Sequence, residues 1–288
     1  MPQQPTDKPA PKGASEGRRA PHRASDARWR TAITAIEPNK ILIRGYPVDE
    51  LMGRLSFGEA IYLLLNGELP TPSIGKLFSA VLVASIDHGV TPPSTLAVRN
   101  VATTGTSLAA STAAGLLGFG VHHGGDIERC MRFLADGLTQ LREKRPLHEV
   151  AEESVRLYLL AEQSPPGFGH RIHTRDPRAI RLLQLAHELE LEGEHVRLIR
   201  AIERFLESRP DKQEHPMPLN VNGAIAAVCA DLGFDSELGN AMFMIARVPG
   251  LIAHAHEERL RQSPMRQIDP KDHQYDGPPA RRLPETRK

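Results

Sequence analysis

A histidine on a tight turn is the first feature of this chain that could do chemistry. Residues 166–171 read PGFGHR, and the proline and glycines ahead of His170 favour a backbone turn that would hold the imidazole in place. A cationic side chain, Arg178, follows eight residues later in the run DPR. Taken alone, a histidine or an arginine beside a turn is equally compatible with a purely structural role.

Four other segments carry side chains of matching chemistry. His88 lies in the run IDHG, and His123 lies in HHGGD, where two glycines would let a ligand approach the backbone closely. Asn222 lies in PLNVNG, and Arg247 lies in ARVPG. Arg178 and Arg247 are candidates for binding carboxylates through their planar guanidinium groups. The combination, more than any single residue, predicts a site built from neutral and cationic hydrogen-bonding groups.

Other common chemistries lack their motifs in this sequence. Thirteen histidines invite a metal site, but His122 and His123 are adjacent and would point to different faces, so we expect none. No GxSxG nucleophile elbow is present, which disfavours a Ser-His-Asp hydrolase. No Walker loop is present and the GFG run lacks both a preceding strand and a third glycine, which disfavours Rossmann-type nucleotide binding.

Composition narrows the class of protein further. The chain has 288 residues, enough for one large domain or two smaller ones with a buried core. Lys+Arg 36 against Asp+Glu 35 leaves a net charge of +1, so we expect no nucleic-acid partner. No apolar run approaches the roughly 18 residues of a membrane span, and no secretory signal is evident. The two cysteines, Cys130 and Cys229, predict no disulfide framework, and we expect a cytoplasmic protein.

The elements that must position these side chains are predicted to be mostly helices. Low aromatic content, 5%, favours helix over sheet, and residues 31–45 show the one convincing strand-like alternation, which predicts a short hairpin or extended arm. Ser56 and Ser73 are expected N-caps, and Pro249 is expected to interrupt the last helix. The predicted helical segments are 48–66 (as two short helices), 74–86, 92–102, 106–120, 126–164, 176–208, 221–232 and 239–260.

Residues 106–120 are built from Ala, Ser, Thr and Gly, side chains small enough to let another helix approach closely. We interpret this segment as a central helix that lies at a subunit interface or is simply buried. Residues 1–29 contain much Pro, Ala, Ser and Arg and few large apolar side chains, which predicts a disordered tail. The basic residues of that tail could attract an acidic partner or merely be solvated.

Together these segments resemble the citrate synthase superfamily. The runs RGYP at 44–47, SFGEAIYLL at 56–64 and GELP at 67–70 resemble its N-terminal signature, and the stretch from Pro264 to Gly277 resembles its closing motif. The resemblance extends from about residue 30 to about residue 280. The short chain and the run PLNVNG look most like bacterial citryl-CoA lyases and the lyase module of ATP citrate lyase.

The resemblance implies a role for each candidate side chain. His123 matches the histidine that polarises the acetyl thioester carbonyl, and His170 matches the histidine that holds the oxaloacetate carbonyl. The implied catalytic residues are His123, His170 and Asn222; the implied substrate-binding residues are His88, Arg178 and Arg247; and the implied coenzyme A-binding residues are Gly167, Phe168, Gly169 and Arg266.

Asn222 departs from the pattern of those lyases. Their motif ends NVDG, and its aspartate moves the proton of the acetyl methyl group, a step to which general acid-base transfer contributes roughly 10²–10⁴-fold. An amide cannot do this. The protein is then a slow or altered lyase that uses another base or a water, a member that has lost catalysis and kept ligand binding, an enzyme for another acyl-CoA or keto acid, or a chain in which Asn222 is deamidated to aspartate.

The fold implied by pattern and resemblance is all-α, a citrate synthase-like large helical domain with an inserted small helical domain. We expect residues 30–125 and 223–270 to form the large domain and residues 126–222 the small one, followed by an extended segment at 271–288. The cleft between the domains would hold coenzyme A and the tricarboxylate. The resemblance also implies a homodimer.

The function implied is cleavage of citryl-CoA to acetyl-CoA and oxaloacetate, or the related citrate-forming acyl transfer. The reaction needs no permanent cofactor, because the coenzyme A thioester is itself a substrate, and the partners are small-molecule substrates. The alternative is a catalytically impaired member that binds CoA esters or tricarboxylates as a sensor or as a partner of an active paralogue.

Overall fold

The computed structural model describes residues 29–120, 122–124, 126–142, 145–211 and 213–283. Within these ranges the chain is mostly helical, which confirms the all-α fold class. The strands are β1 (Thr34–Glu37), β2 (Lys40–Ile43) and β3 (Tyr46–Pro47). The helices are α1 (Val48–Leu51), α2 (Phe57–Asn66), α3 (Pro72–Ala84), α4 (Pro93–Ala102), α5 (Leu108–Leu117), α6 (Asp126–Arg142), α7 (Leu147–Leu160), α8 (Pro177–Glu188), α9 (Glu194–Ser208), α10 (Val221–Asp231) and α11 (Gly239–Arg261).

The predicted hairpin is present. β1 and β2 pair antiparallel, with Thr34 opposite Ile43 and Glu37 opposite Lys40, and β3 adds a third short strand to β2. Asn39 adopts a positive φ of 62° in the connecting turn, a conformation that asparagine tolerates better than most residues. The predicted disordered tail at 1–29 lies outside the described residues except for Trp29, which is exposed. Among the described helices, none has both the length and the apolar run needed to cross a membrane.

Helix starts follow the capping signals in the sequence, with one correction. Ser56 caps α2 through a capping box with Glu59, as expected, and Gly67 ends that helix with a φ of 98°. Ser73 was the wrong cap for α3, because Thr71 accepts the hydrogen bond from Ile74 N at 3.3 Å and Pro72 takes the first helical position. Proline is favoured there because its missing N–H has no intrahelical partner to lose.

The prediction that Pro249 interrupts the last helix is wrong. Helix α11 runs unbroken through Pro249 for 23 residues. A proline inside a helix costs about 3 kcal/mol. Arg247 and Leu251 on either side of it are 1% and 0% exposed, so tertiary packing holds this part of the helix in place. Gly250 packs closely against the end of the α3 region, because a Cβ at that position would lie 2.4 Å from Ile86 O.

The small-residue segment forms the shorter helix α5, and only one side of it is covered. Ser111 and Gly115 are buried, and a Cβ on Gly115 would lie 3.1 Å from Ser94 O, so α4 approaches α5 closely there. On the opposite side, Leu117 is 85% exposed. The interpretation that this helix is simply buried is therefore wrong, and the interpretation as a subunit interface stays a prediction.

Two apolar clusters hold the helices together. A small one joins α4 to α11 through Val98, Ala102, Leu251 and Ala255. The larger one extends from α2 and α3 through α6 to α10 and into the start of α11, with α10 buried almost throughout at its centre. The division into a large and a small domain stays a prediction. Beyond α11, residues 262–283 are exposed and contain one short 3₁₀ turn at Pro270–Asp272.

Candidate active site

The turn ahead of His170 is paired with the segment ahead of α10. Gly169 N donates to Pro218 O at 2.8 Å and Asn220 N donates to Gly167 O at 3.0 Å, so the two stretches form a miniature antiparallel ladder. The side chain of Asn220 adds a bond from Nδ2 to Gly169 O at 2.9 Å. Gly167 and Gly169 have φ values of 83° and 84°, a conformation that favours glycine.

The first turn of α10 lies directly against this ladder. A Cβ on Gly223 would lie 2.6 Å from Gly167 O, so glycine is required at both positions for the backbones to approach. Asn220 caps α10, accepting from Asn222 N at 2.9 Å. Asp126, the first residue of α6, accepts from Gly167 N at 2.8 Å. The turn is thus held by two helix starts, and Asn222 lies beside it.

His170 is held in a single tautomer. Its Nδ1 accepts hydrogen bonds from Ile172 N at 3.0 Å and His173 N at 2.9 Å. The ring proton must therefore lie on Nε2. Partial burial and the charge of His173 lower the pKa of His170, and together with Arg178 they outweigh the opposing charge of Asp176. The imidazole is a neutral hydrogen-bond donor with a fixed orientation.

Arg178 is oriented by Asp176, a buried carboxylate. Arg178 Nε donates to Asp176 Oδ1 at 2.9 Å and Nη2 donates to Oδ2 at 2.8 Å. Asp176 also caps α8 and accepts from Val221 N, the first residue of α10, at 3.0 Å. Burial by itself raises the pKa of Asp176, but the bonds and charge of Arg178 outweigh it and the pKa is lowered. One carboxylate thus ties the arginine to the helix that carries Asn222.

His88 lies between Arg178 and His170. Its Nδ1 is 3.5 Å from Arg178 Nη1, and its ring centroid is 6.4 Å from that of His170. Desolvation lowers the pKa of His88, and the charges of Arg178 and Arg247 lower it further. The preceding Asp87 accepts from Gly89 N at 2.9 Å and lies 3.1 Å from His254 Nε2 on α11.

Arg247 on α11 is a buried cation that forms no salt bridge among the described residues, although the charge of Asp87 acts on it and partly opposes the lowering of its pKa. The residue is 1% exposed, its Nε donates to Ser85 O at 2.8 Å, and its guanidinium lies 4.6 Å from the centre of the Phe243 ring. Nη1 is buried and has no hydrogen-bond partner among the described residues. Burial lowers the pKa of Arg247 to about 10, which still leaves it charged at neutral pH. A buried cation of this kind is stabilised by an anionic ligand.

His123 shares the Phe243 ring with Arg247. Its imidazole stacks on Phe119 with centroids 5.1 Å apart and meets Phe243 edge-on at 6.1 Å. His123 Nε2 is 2.7 Å from Oγ of Ser94, which is fully buried at the start of α4. Burial lowers the pKa of His123, and the charge of Arg247 lowers it further. The site therefore presents three neutral imidazoles and two guanidinium groups, a set suited to a ligand with carboxylates and carbonyl oxygens.

Comparison with known proteins identifies the family. The chain matches the family described as Citrate synthase, C-terminal domain, over residues 27–76 and 70–268, which together span most of its length. The chain belongs to the citrate synthase family. The expected family and its helical fold are therefore confirmed.

Individual proteins similar to this chain are citryl-CoA lyases, citrate synthases and ATP citrate lyases. A solved citryl-CoA lyase from Hydrogenobacter thermophilus is 41% identical, with 90% of this chain and 98% of that chain covered and a TM-score of 0.80. Citrate synthase 2 of Bacillus subtilis is 32% identical over 198 residues, covering 67% of this chain and 50% of the relative. An ATP citrate lyase mutant from Methanosaeta concilii, solved with (3S)-citryl-CoA, shares the fold at 21% identity and a TM-score of 0.71 over 89% of this chain and 43% of that chain. This chain spans about half the length of the citrate synthases it matches.

Most of the residues singled out from the sequence lie together, with one exception. His88 lies near Arg178 and His170, and His123 and Arg247 both contact the Phe243 ring. The charge of Arg247 acts on both His88 and His123, so the five side chains form one group, with the turn at 167–169 and Asn222 beside His170. Arg266 instead donates to Glu258 Oε1 at 2.9 Å. Glu258 follows Arg247 by eleven residues on α11, a rise of about 16 Å. The coenzyme A-binding role of Arg266 stays a prediction.

Three residues that support the site were not identified from the sequence. Asp176 has a readable signal, since aspartate before proline is a common helix start. Ser94 meets His123 across 29 positions of the chain, and His254 meets Asp87 across 167. No local pattern indicates contacts between residues so far apart.

Proposed function

We propose that this protein is an enzyme of the citryl-CoA lyase type, cleaving citryl-CoA to acetyl-CoA and oxaloacetate or performing the related citrate-forming acyl transfer. The observation that carries the proposal is the buried Arg247, whose Nη1 has no hydrogen-bond partner and which forms no salt bridge among the described residues, close to three neutral imidazoles. A ligand with several carboxylates and a carbonyl oxygen satisfies both features.

The proposed roles follow from hydrogen-bond chemistry. His170 donates from Nε2 to the keto oxygen of oxaloacetate, because its Nδ1 is already occupied by two backbone N–H groups. Arg178, Arg247 and His88 bind the carboxylates. His123 donates to the thioester oxygen, which becomes negative in the enolate, and such a preorganised donor is usually the largest single contribution to catalysis. The turn at 167–169 contacts the coenzyme A portion.

The described residues supply no metal cluster, and the proposed reaction requires none. Coenzyme A enters as part of the substrate. We further propose that the protein acts in the cytoplasm as a homodimer in which the exposed side of α5, including Leu117, faces the second copy. Small-residue helices suit such close approach.

A second candidate function is favoured by Asn222. Its amide cannot move a proton, so a member that binds citryl-CoA or tricarboxylates without turning them over, as a sensor or partner, has the same binding groups. Binding and turnover separate the two candidates.

The test compares the native protein with Asn222→Asp on citryl-CoA, following acetyl-CoA and oxaloacetate together with the affinity for citryl-CoA. Turnover by the native protein supports the lyase. Binding by both proteins with turnover by Asn222→Asp alone supports the impaired member. If neither protein binds citryl-CoA, the site assignment is wrong.

A further inference from the structure

The position beside the cleft where a proton would be moved holds an amide. Asn222 donates its backbone N–H to Asn220 Oδ1 at 2.9 Å, and its half-buried side chain has no hydrogen-bond partner within the described part of the chain. An amide neither accepts nor returns a carbon-bound proton. Another group must do so, or the reaction must avoid the step.

The neighbouring carboxylates are already engaged. Asp126 accepts from Gly167 N, and Asp176 is bound to Arg178 and Val221 N. Asp87 accepts from Gly89 N and lies against His254. The pKa values of Asp87 and Asp176 are both lowered by these bonds despite their desolvation, so both are weak bases. We find no carboxylate among the described residues that replaces an aspartate at position 222.

The imidazoles are poorly suited to take the proton. His170 has its Nδ1 occupied and carries a proton on Nε2, and His123 is engaged by Ser94 through Nε2. Burial and the nearby guanidinium charges lower the pKa values of His123 and His88, which weakens both as bases. The groups of this cleft stabilise an enolate better than they generate one from a methyl group.

We propose that the site forms its enolate by decarboxylation, from an acyl-CoA that carries a carboxylate on its α carbon, of which malonyl-CoA is the simplest. This rests on the proposed function, since the second substrate is still oxaloacetate. The bond between the α carbon and the carboxylate breaks, carbon dioxide leaves, and the electron pair forms the enolate. The α carbon then bonds to the keto carbon, the keto oxygen takes a proton from solvent, and citryl-CoA results. No base is needed.

The charge of the site fits this substrate. An aspartate with a neutral acetyl thioester and an asparagine with a malonyl thioester bring the same single negative charge beside oxaloacetate. The Asn222 side chain offers a donor to the malonyl carboxylate, and it lies in the first turn of α10, where the helix dipole favours an anion. An aspartate there would repel the same group. Asn222 would thus select α-carboxylated thioesters over acetyl-CoA.

The test is a crossover of two proteins and two substrates. Native protein and Asn222→Asp are each given oxaloacetate with either acetyl-CoA or carboxyl-labelled malonyl-CoA, and labelled carbon dioxide and citryl-CoA are measured. The native protein should release carbon dioxide and form citryl-CoA from malonyl-CoA. Asn222→Asp should lose that activity by about ten-fold or more through repulsion and gain condensation of acetyl-CoA by roughly 10²–10⁴-fold.

The remaining outcomes overturn the proposal. If Asn222→Asp condenses acetyl-CoA or cleaves citryl-CoA while the native protein leaves malonyl-CoA intact, the decarboxylation proposal fails, and binding of citryl-CoA by the native protein then supports the second candidate function, a member that binds without turnover. Carbon dioxide released without oxaloacetate, yielding acetyl-CoA alone, also overturns the condensation. If neither protein acts on or binds any of these thioesters, both proposals fail. Asn222→Ala removes the amide without adding a negative charge, so it distinguishes the effect of losing the amide from the effect of the added charge. It should retain more malonyl-CoA activity than Asn222→Asp.

Discussion

Asp176 connects two helix starts to a candidate substrate-binding arginine, and replacing it by asparagine should be costly. The carboxylate accepts four N–H groups: Arg178 N and Nε on Oδ1, and Arg178 Nη2 and Val221 N on Oδ2. An asparagine retains one acceptor oxygen and turns an NH₂ group toward two of these donors. Leaving a buried donor unsatisfied costs about 1–3 kcal/mol, and breaking a buried ion pair about 3–5 kcal/mol. We expect Asp176→Asn to lower the free energy of unfolding by about 3 kcal/mol or more.

Urea unfolding followed by circular dichroism measures this change, and the chain offers a matched control. Asp269 also accepts from the backbone N–H two residues ahead, that of Lys271, at 3.0 Å, and pairs with the same residue's ammonium group at 3.2 Å. Its side chain is 51% exposed, so Asp269→Asn should change stability by no more than about 0.5 kcal/mol. Equal effects of the two substitutions would refute the account of Asp176.

The stability difference between the native protein and Asp176→Asn should also depend on pH in a predictable direction. The pKa of Asp176 is lowered from its ordinary value of 3.8. Its contribution to stability is therefore fully present above pH 3.8 and is lost as the pH falls through the lower folded pKa. The stability difference between native protein and Asp176→Asn should be constant near neutral pH and shrink below about pH 4. A difference that grows on acidification would contradict this.

Two further predictions concern the His123 contact and the exposed side of α5. Ser94→Ala removes the hydroxyl 2.7 Å from His123 Nε2, and kcat for citryl-CoA turnover should fall by about ten-fold with little change in KM. Ser94→Thr keeps a hydroxyl and should retain most of the activity. A change in KM alone would contradict the role of this contact. Leu117 is 85% exposed in a single chain, so Leu117→Asp would place a charge in the proposed dimer interface and should halve the mass measured by light scattering. Leu157→Asp, at a position 67% exposed on α7, is the control and should leave the mass unchanged. Equal masses for the two variants would argue against α5 as the interface.

Local sequence patterns predicted the elements, because capping and turn residues act over a few positions. The N-cap at Ser56 and the short hairpin within residues 31–45 needed no tertiary information. Pro249 was misjudged, since the packing that keeps α11 continuous around it comes from residues far away in the chain. Local propensity thus failed where tertiary contacts were stronger.

The candidate site residues were predicted from the sequence, but the side chains that hold them in place were not. Resemblance to a known family indicated the histidines and arginines, and the glycines at 167 and 169 were recognisable from turn chemistry. The groups that hold those residues were not, because Ser94 and His254 reach their partners only in the folded chain. Nor could spacing show that Arg266 lies against Glu258, far along α11 from Arg247.

Ligand binding by Arg247→Met tests the central proposal most directly, because Arg247 is the buried cation whose charge an anionic ligand would offset. Calorimetric titration with oxaloacetate should show affinity falling by roughly 10–100-fold, as expected for losing a hydrogen-bonded charge. Arg261→Met, on the same helix with a side chain 74% exposed, is the control and should bind as the native protein does.

The stability of Arg247→Met should change much less than its affinity for oxaloacetate. Arg247→Met loses the hydrogen bond to Ser85 O but removes the cost of a desolvated guanidinium and keeps the apolar packing, so we expect it to change the free energy of unfolding by no more than about 1 kcal/mol. Lost affinity with retained stability is the result that the account predicts. Unchanged affinity for oxaloacetate, with the protein destabilised, would show that Arg247 is a structural residue and that the cleft does not bind this substrate.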